Sequence, residues 1–320
     1  MNAGTSAPAG GLARPLLSLL AAAASVLAIV GLARTAVGTA SGQRVDQLVS
    51  SGAKEHQGRL SHYAEMAVGT VSPPVIGALL GLAVLLVLLR RRPGLLLPLG
   101  VLVLGANLTT QVIKQVLVTR DVLGPGIDVT PNSFPSGHTT LAASAMIALV
   151  LAAGRARVVL APLGAAWTTA VGIGTLVVGW HRPSDVIGAI AVVAAWTFLI
   201  LALDGLDTRR RHRRAADRPG HGRRRRGIGA LAAQPPSRHR TSERLVAVLL
   251  GLVGAACLVW GGVGVADLPR PLDLHDSAQQ LPAFLVTAGL IGGGTAVWLA
   301  LTLLLRVPTS QRARPADRVP

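Results

Sequence analysis

Eight apolar runs, each close to the length needed to cross a bilayer, constrain the fold of this chain more than any other feature. They cover about residues 15–33, 66–89, 94–118, 138–153, 158–179, 183–203, 245–266 and 281–305. The runs are continuous rather than alternating, and backbone groups inside a bilayer must be satisfied within their own segment, so the runs are helices. With 51% hydrophobic and only 14% charged residues, a chain of 320 residues has too little charged surface to fold in water alone. The expected fold is an all-α polytopic membrane protein, with a six-helix core and two added C-terminal transmembrane helices. The first run is longer than the apolar centre of a secretory signal and is read as a span. Pro73-Pro74 is expected to kink the second span or to mark its true start.

Charge is gathered between the runs. Residues 208–244 hold thirteen arginines against Asp217 and Glu243, a net of +11, with glycine, proline and histidine between. No apolar periodicity exists there, so this segment is expected to be a disordered cytoplasmic linker that also touches anionic lipid head groups. The layout is then a core over 1–207, the linker over 208–244, a two-helix membrane hairpin over 245–306 and a basic tail over 307–320. Between the first two spans, up to about Tyr63, lies a polar stretch with nearly balanced charge. The gaps at Arg14, Arg90–Arg92, Arg155 with Arg157, the linker and the tail are basic and alternate with neutral or acidic ones. By the positive-inside rule the basic gaps and both termini face the cytoplasm.

The net charge of +17 does not point to nucleic acid, because the arginines lack interleaved aromatics and aromatics are 3% of the chain. Cys257, the single cysteine, excludes an intrachain disulfide. No cluster has the ligand spacing of a zinc site, so no metal or other cofactor is expected.

Lys54 and Lys114 are the only lysines, which makes Lys114 conspicuous inside the third run. Asn107, Gln111 and Lys114 fall at i, i+4 and i+7, on one helical face that should point into the bundle or a wet cavity. Arg120 follows Lys114 by six residues, short of two helical turns, so the helix must end or loosen, or the long arginine arm must compensate, if both are to face one way. Phe134-Pro135-Ser136-Gly137-His138 opens the fourth run. Trp180-His181-Arg182-Pro183-Ser184-Asp185 opens the sixth. A helix start presents unpaired N–H groups and a positive dipole end, a natural anion site. Two histidines beside it supply a nucleophile and a general acid, and Lys114 and Arg120 supply charge. The alternating orientation puts the loops with Arg120, His138 and His181 on one side, the external one, independently of their motifs. Together these features suit phosphoryl transfer.

These residues resemble the type 2 phosphatidic acid phosphatase superfamily of membrane and vanadate-haloperoxidase-like enzymes, over roughly residues 60–203. That family carries Lys-x6-Arg-Pro, Pro-Ser-Gly-His and Ser-Arg-x5-His-x3-Asp in order. Here the second motif is complete as Pro135-Ser136-Gly137-His138. The third keeps His181 and Asp185, with Gly174 and Thr175 where serine and arginine belong. The first is one residue short, and Asp121 replaces its proline. The resemblance implies that His181 is the nucleophile that becomes phosphohistidine, Asp185 holds its other ring nitrogen, and His138 is the general acid. Lys114, Arg120, Ser136 and Gly137 would bind the phosphate. Arg182 or Arg120 would stand in for the missing third-motif arginine.

The expected activity is hydrolysis of a lipid phosphomonoester or pyrophosphate, such as a prenyl pyrophosphate or phosphatidic acid, at the extracytoplasmic face of the cell membrane. Two alternatives remain: a catalytically impaired member that binds or moves a lipid phosphate, and a phosphotransferase to an acceptor other than water.

Overall fold

The computed structural model describes residues 12–127, 132–216 and 238–306. Among them lie ten α-helices and no strand: α1 (Ala13–Leu32), α2 (Ala40–Glu55), α3 (Gln57–Gly69), α4 (Pro73–Leu89), α5 (Leu96–Val112), α6 (Gly137–Ala152), α7 (Arg157–Val177), α8 (Pro183–Ala216), α9 (Arg238–Ala266) and α10 (Ser277–Leu305). Among the described residues six helical segments are long and apolar enough to cross a membrane, and most of α3 with α4 passes the same test as a pair bent by 54°, the shape of a broken span or a re-entrant loop. Pro73 and Pro74 occupy the first turn of α4, where a missing N–H removes no hydrogen bond. The chain is a polytopic all-α membrane protein.

The short α6 is the centre of the bundle. Its 16 residues rise only about 24 Å. Ala142, Ala143 and Ala145 are fully buried, as are Thr139, Thr140 and Ser144. A helix apolar all round belongs in an interior, and α4, α5, α7 and α8 enclose this one. Small side chains let the neighbours approach closely, as membrane helix packing favours.

The polar stretch after the first span is helical. Thr39 caps α2 by accepting from the Gly42 amide at 3.0 Å. Val45, Leu48, Val49, Gly52 and Ala53 repeat at i, i+3, i+4, i+7 and i+8, and Leu48, Val49 and Ala53 are fully buried. The helix lies against α7, α8 and α10. A Cβ at Gly52 would stand 2.3 Å from the Gln280 carbonyl oxygen, so α2 and α10 meet backbone to backbone.

The expected linker also needs correction at its flanks. α8 runs on to Ala216 and α9 begins at Arg238, so residues 208–216 and 238–244 are helical. Arginine is a good helix former, and extending an existing helix avoids the nucleation step. Asp207 and Arg211 pair at i, i+4 on that exposed extension, at 2.5 Å. The remainder of the linker, 217–237, the tail from 307 and residues 1–11 lie outside the described residues.

In the hairpin, a Cβ on Gly254 would come within 2.9 Å of the Gly293 carbonyl oxygen, and one on Gly293 within 2.8 Å of the Gly254 oxygen. Glu243 on α9 accepts from Arg306 at 2.8 Å and lies 3.7 Å from Arg157 at the start of α7. Those contacts join the hairpin to the core.

Candidate active site

The start of α6, the start of α8 and the end of α5 converge. Ser136 caps α6 by accepting from the Thr139 amide at 3.3 Å, and its own N–H donates to the Asp185 carbonyl at 2.9 Å. That backbone bond joins the two histidine-bearing turns. Phe134 is fully buried against Gly188, where a Cβ would lie 2.5 Å from the ring. Above Gly137 the space is open: its Cβ would meet only the Gln111 side chain, at 4.0 Å.

The His138 and His181 rings lie 6.2 Å apart, and Trp180 stands 5.1 Å from His138. His181 Nδ1 faces Asp185 Oδ2 at 3.5 Å. The same oxygen accepts from the Arg182 N–H at 2.9 Å and from the Ser133 hydroxyl at 2.5 Å. Asp185 is fully buried, so its position is set by these contacts rather than by solvent.

The polar face of α5 turns toward α6. Asn107 donates to the Ser144 hydroxyl at 3.0 Å, and Thr110 and Thr140 share a hydrogen bond of 2.9 Å. Half-buried Lys114 is close enough for its charge to act on both Asp185 and His138. Beyond Val112 the helix loosens into a wider π turn, Ile113–Leu117, and stops at Val118, whose φ of −124° and ψ of 122° are extended. This break answers the six-residue spacing of Lys114 and Arg120. Asn132 donates to the carbonyls of Lys114 and Val118, two groups that a helix end leaves without partners.

Arg120 is held by carboxylates. Its Nη2 donates to Asp46 Oδ2 at 2.9 Å and to the Ser184 hydroxyl at 3.0 Å, while Nη1 lies 3.4 Å from Asp185 Oδ1. Asp46 also accepts from the Ser184 N–H at 3.2 Å and from its hydroxyl, so it caps the first turn of α8 from another helix. Nothing near Asp46 in the chain is a motif, so its place at the site comes from the fold alone. Gln43, one turn earlier on α2, donates to the Asp121 carbonyl at 2.7 Å and accepts from the Leu123 N–H at 3.2 Å, fixing the loop after Arg120. Burial pushes the Asp46 carboxyl up to about 6, the Asp185 charge adds to this, and Arg120 and Ser184 hold it back.

Thr175, in the place of the missing arginine, is fully buried and donates to the Gly172 carbonyl at 2.7 Å. Its carbonyl accepts the amides of Trp180 and His181 at 3.0 and 3.2 Å. The residue positions His181 through its backbone and carries no charge. Among the described residues, no three His, Cys, Asp or Glu side chains gather in a way that would hold a metal ion.

Residues 95–209 match the family model described as PAP2 superfamily. No curated protein and no solved structure matches the chain.

Proposed function

We propose, from the match of residues 95–209 to the PAP2 superfamily model, that the chain is a membrane phosphatase that hydrolyses a lipid phosphomonoester or pyrophosphate through a phosphohistidine. The family match supports phosphatase or phosphotransferase chemistry on phosphate esters. The observation that carries the finer reading is the His181–Asp185 pair with the His138 ring 6.2 Å away, both histidines at helix starts.

With Nδ1 turned to Asp185, His181 Nε2 is the nitrogen that attacks phosphorus as the bond to the leaving oxygen breaks. Asp185 stabilises the positive charge the ring then carries. His138 protonates the leaving oxygen, and on the return step takes a proton from the water that releases phosphate. Lys114, Arg182 and the first-turn amides beside Ser136 and Gly137 neutralise the phosphoryl oxygens. Arg120 is assigned to holding Asp185 rather than to the phosphate, since two carboxylates already occupy its guanidinium.

The reaction is proposed at the extracytoplasmic face of the cell membrane, where a lipid head group would meet these loops, with both termini cytoplasmic. The arginine-rich segment would lie on the opposite side against anionic head groups. A cysteine introduced at position 125 should react with an impermeant thiol reagent in intact cells, and one at 220 should not; the reverse labelling would overturn this orientation.

The uncharged Thr175 favours a second reading, an impaired member that binds lipid phosphate without turning it over. Phosphate release from a panel of prenyl pyrophosphate, phosphatidic acid and phosphatidylglycerol phosphate separates the two. Activity lost in His181→Ala, with His138→Ala slowest on poor leaving groups, supports hydrolysis. An inert parent that gains activity with Thr175→Arg supports the second reading. Added alcohol acceptors that divert phosphate from water would make it a phosphotransferase.

A further inference from the structure

Behind the helix that carries Asp185 lies an open cavity of about 650 Å³, lined by the end of α1, the start of α2, the first turns of α8, the end of α9, the first half of α10 and the loop between those two helices. Its size falls within the roughly 300–1,000 Å³ typical of small-ligand sites. None of His138, His181 and Lys114 lines it. Of its walls only Pro183, Ser184 and Ile187 fall inside the stretch 95–209. The rest comes from the N-terminal helices and the C-terminal hairpin, so the cavity is a construction of the parts added around the family domain.

Its chemistry is divided. Leu32, Ile187, Val265 and Leu290 give it an apolar wall from four different helices. Arg44 and Arg270 give it cationic groups on α2 and on the α9–α10 loop. Arg44 Nη2 donates to the Leu272 carbonyl at 2.9 Å, which fixes the guanidinium in place and ties the loop to α2. Among the described residues neither arginine pairs with a carboxylate. The one acid in the lining, Asp46, is engaged by Ser184 and Arg120. Asp267, Asp273 and Asp276 share the loop with Arg270 but are not among the lining residues, so the lining itself sets two cations without a carboxylate partner beside an apolar wall, and an anion with a hydrocarbon body satisfies both.

We propose that this cavity binds a single-chain anionic amphiphile, its head group on Arg44 and Arg270 and its chain along Leu32, Ile187, Val265 and Leu290. The site is separate from the histidine pair and does not depend on the reaction assigned there. It gives the C-terminal hairpin a task, since without α9, α10 and their loop the cavity has no far wall and loses Arg270.

The test is photo-crosslinking of the purified full-length protein in detergent with a diazirine-bearing long-chain fatty acid, read out by mass spectrometry of the labelled peptides. Label is expected on the peptides spanning 32–46 and 265–290. Arg44→Gln and Arg270→Gln should each reduce it about tenfold, the scale of one charge-assisted contact. His181→Ala should leave it unchanged. Unlabelled acid should compete and its uncharged methyl ester should not, while inorganic phosphate, lacking a chain, should compete poorly. Val265→Trp, which fills the cavity from the hairpin, should exclude the probe while the protein still elutes as one species. Label confined to the His138 and His181 peptides, equal competition by the methyl ester, or full labelling of both arginine variants would overturn the proposal.

Discussion

The guanidinium of Arg120 donates to the carboxylate of Asp46 at 2.9 Å, and the two side chains are 2% and 5% exposed. A buried pair of this kind contributes little by existing, because the desolvation of two charges offsets most of their attraction. Breaking it leaves one charge buried and unpaired, which costs about 3–5 kcal/mol. Asp46→Ala and Arg120→Ala should each destabilise the protein on that scale in a thermal melt in detergent. The double variant should lose clearly less than the sum of the two. Strict additivity would mean that the pair does not interact.

The same burial makes stability depend on pH. Asp46 is raised from 3.8 to about 6, so between those values the folded protein binds a proton that the unfolded chain does not. Its contribution is fully present below about 4 and is lost as pH rises through about 6, a swing on the order of 3 kcal/mol. Melts of the parent relative to Asp46→Asn should therefore show the parent losing ground from pH 4 to pH 7. A difference that stays flat across that range, or one that grows in the parent's favour, would contradict the assignment.

The spans and the helix-start motifs were legible because each is local. Twenty apolar residues in a row need no partner to declare a membrane helix, and Ser136, Gly137 and His138 adjoin the run they open. The break between Lys114 and Arg120 is one of the two readings their spacing allows, a compensating arginine arm being the other, and the π turn at Ile113–Leu117 decides for the break. Asp46 was not legible. Its partners Arg120 and Ser184 lie 74 and 138 residues away, and only folding joins them. One signal was present and passed over. The repeat of Val45, Leu48, Val49, Gly52 and Ala53 is helical, but it sits among polar residues whose near-balanced charge resembles a solvated connector. For the same reason composition stops α8 too early and starts α9 too late, because arginine-rich sequence is hydrophilic without being a poor helix former.

Gly188 is the point where the two motif loops are packed against each other. A Cβ there would stand 2.5 Å from the Phe134 ring, which is fully buried and has nowhere to move. Gly188→Ala should push Phe134 and the following Pro135-Ser136-Gly137-His138 out of register, at about 1–3 kcal/mol of overpacking. Turnover should fall more than stability does. A second substitution, Phe134→Leu, should recover part of the loss in a Gly188→Ala background by freeing space. No recovery would show that the glycine matters for another reason.

Arg120 and Arg182 have different work to do. Arg120 spans Asp46 and Asp185, and Asp185 faces the ring of His181, so Arg120 acts on the nucleophile through a carboxylate. Arg182 adjoins the nucleophile in the chain and its amide holds Asp185 Oδ2 at 2.9 Å, which leaves its side chain the nearer in sequence to any phosphate on His181. If Arg182 replaces the charge that Thr175 lacks, Arg182→Ala should lower turnover by roughly a hundredfold, the scale of a lost oxyanion donor, and should also raise KM. Arg120→Ala should lower kcat with KM little changed, because it disturbs the His181–Asp185 pair and not the bound phosphate. Arg120→Lys, which keeps the charge but not the fork that reaches two carboxylates, should restore only part of that loss. Steady-state phosphate release on one lipid phosphate decides between them. If Arg120→Ala raises KM and Arg182→Ala does not, the two roles are reversed and Arg120 holds the phosphate after all.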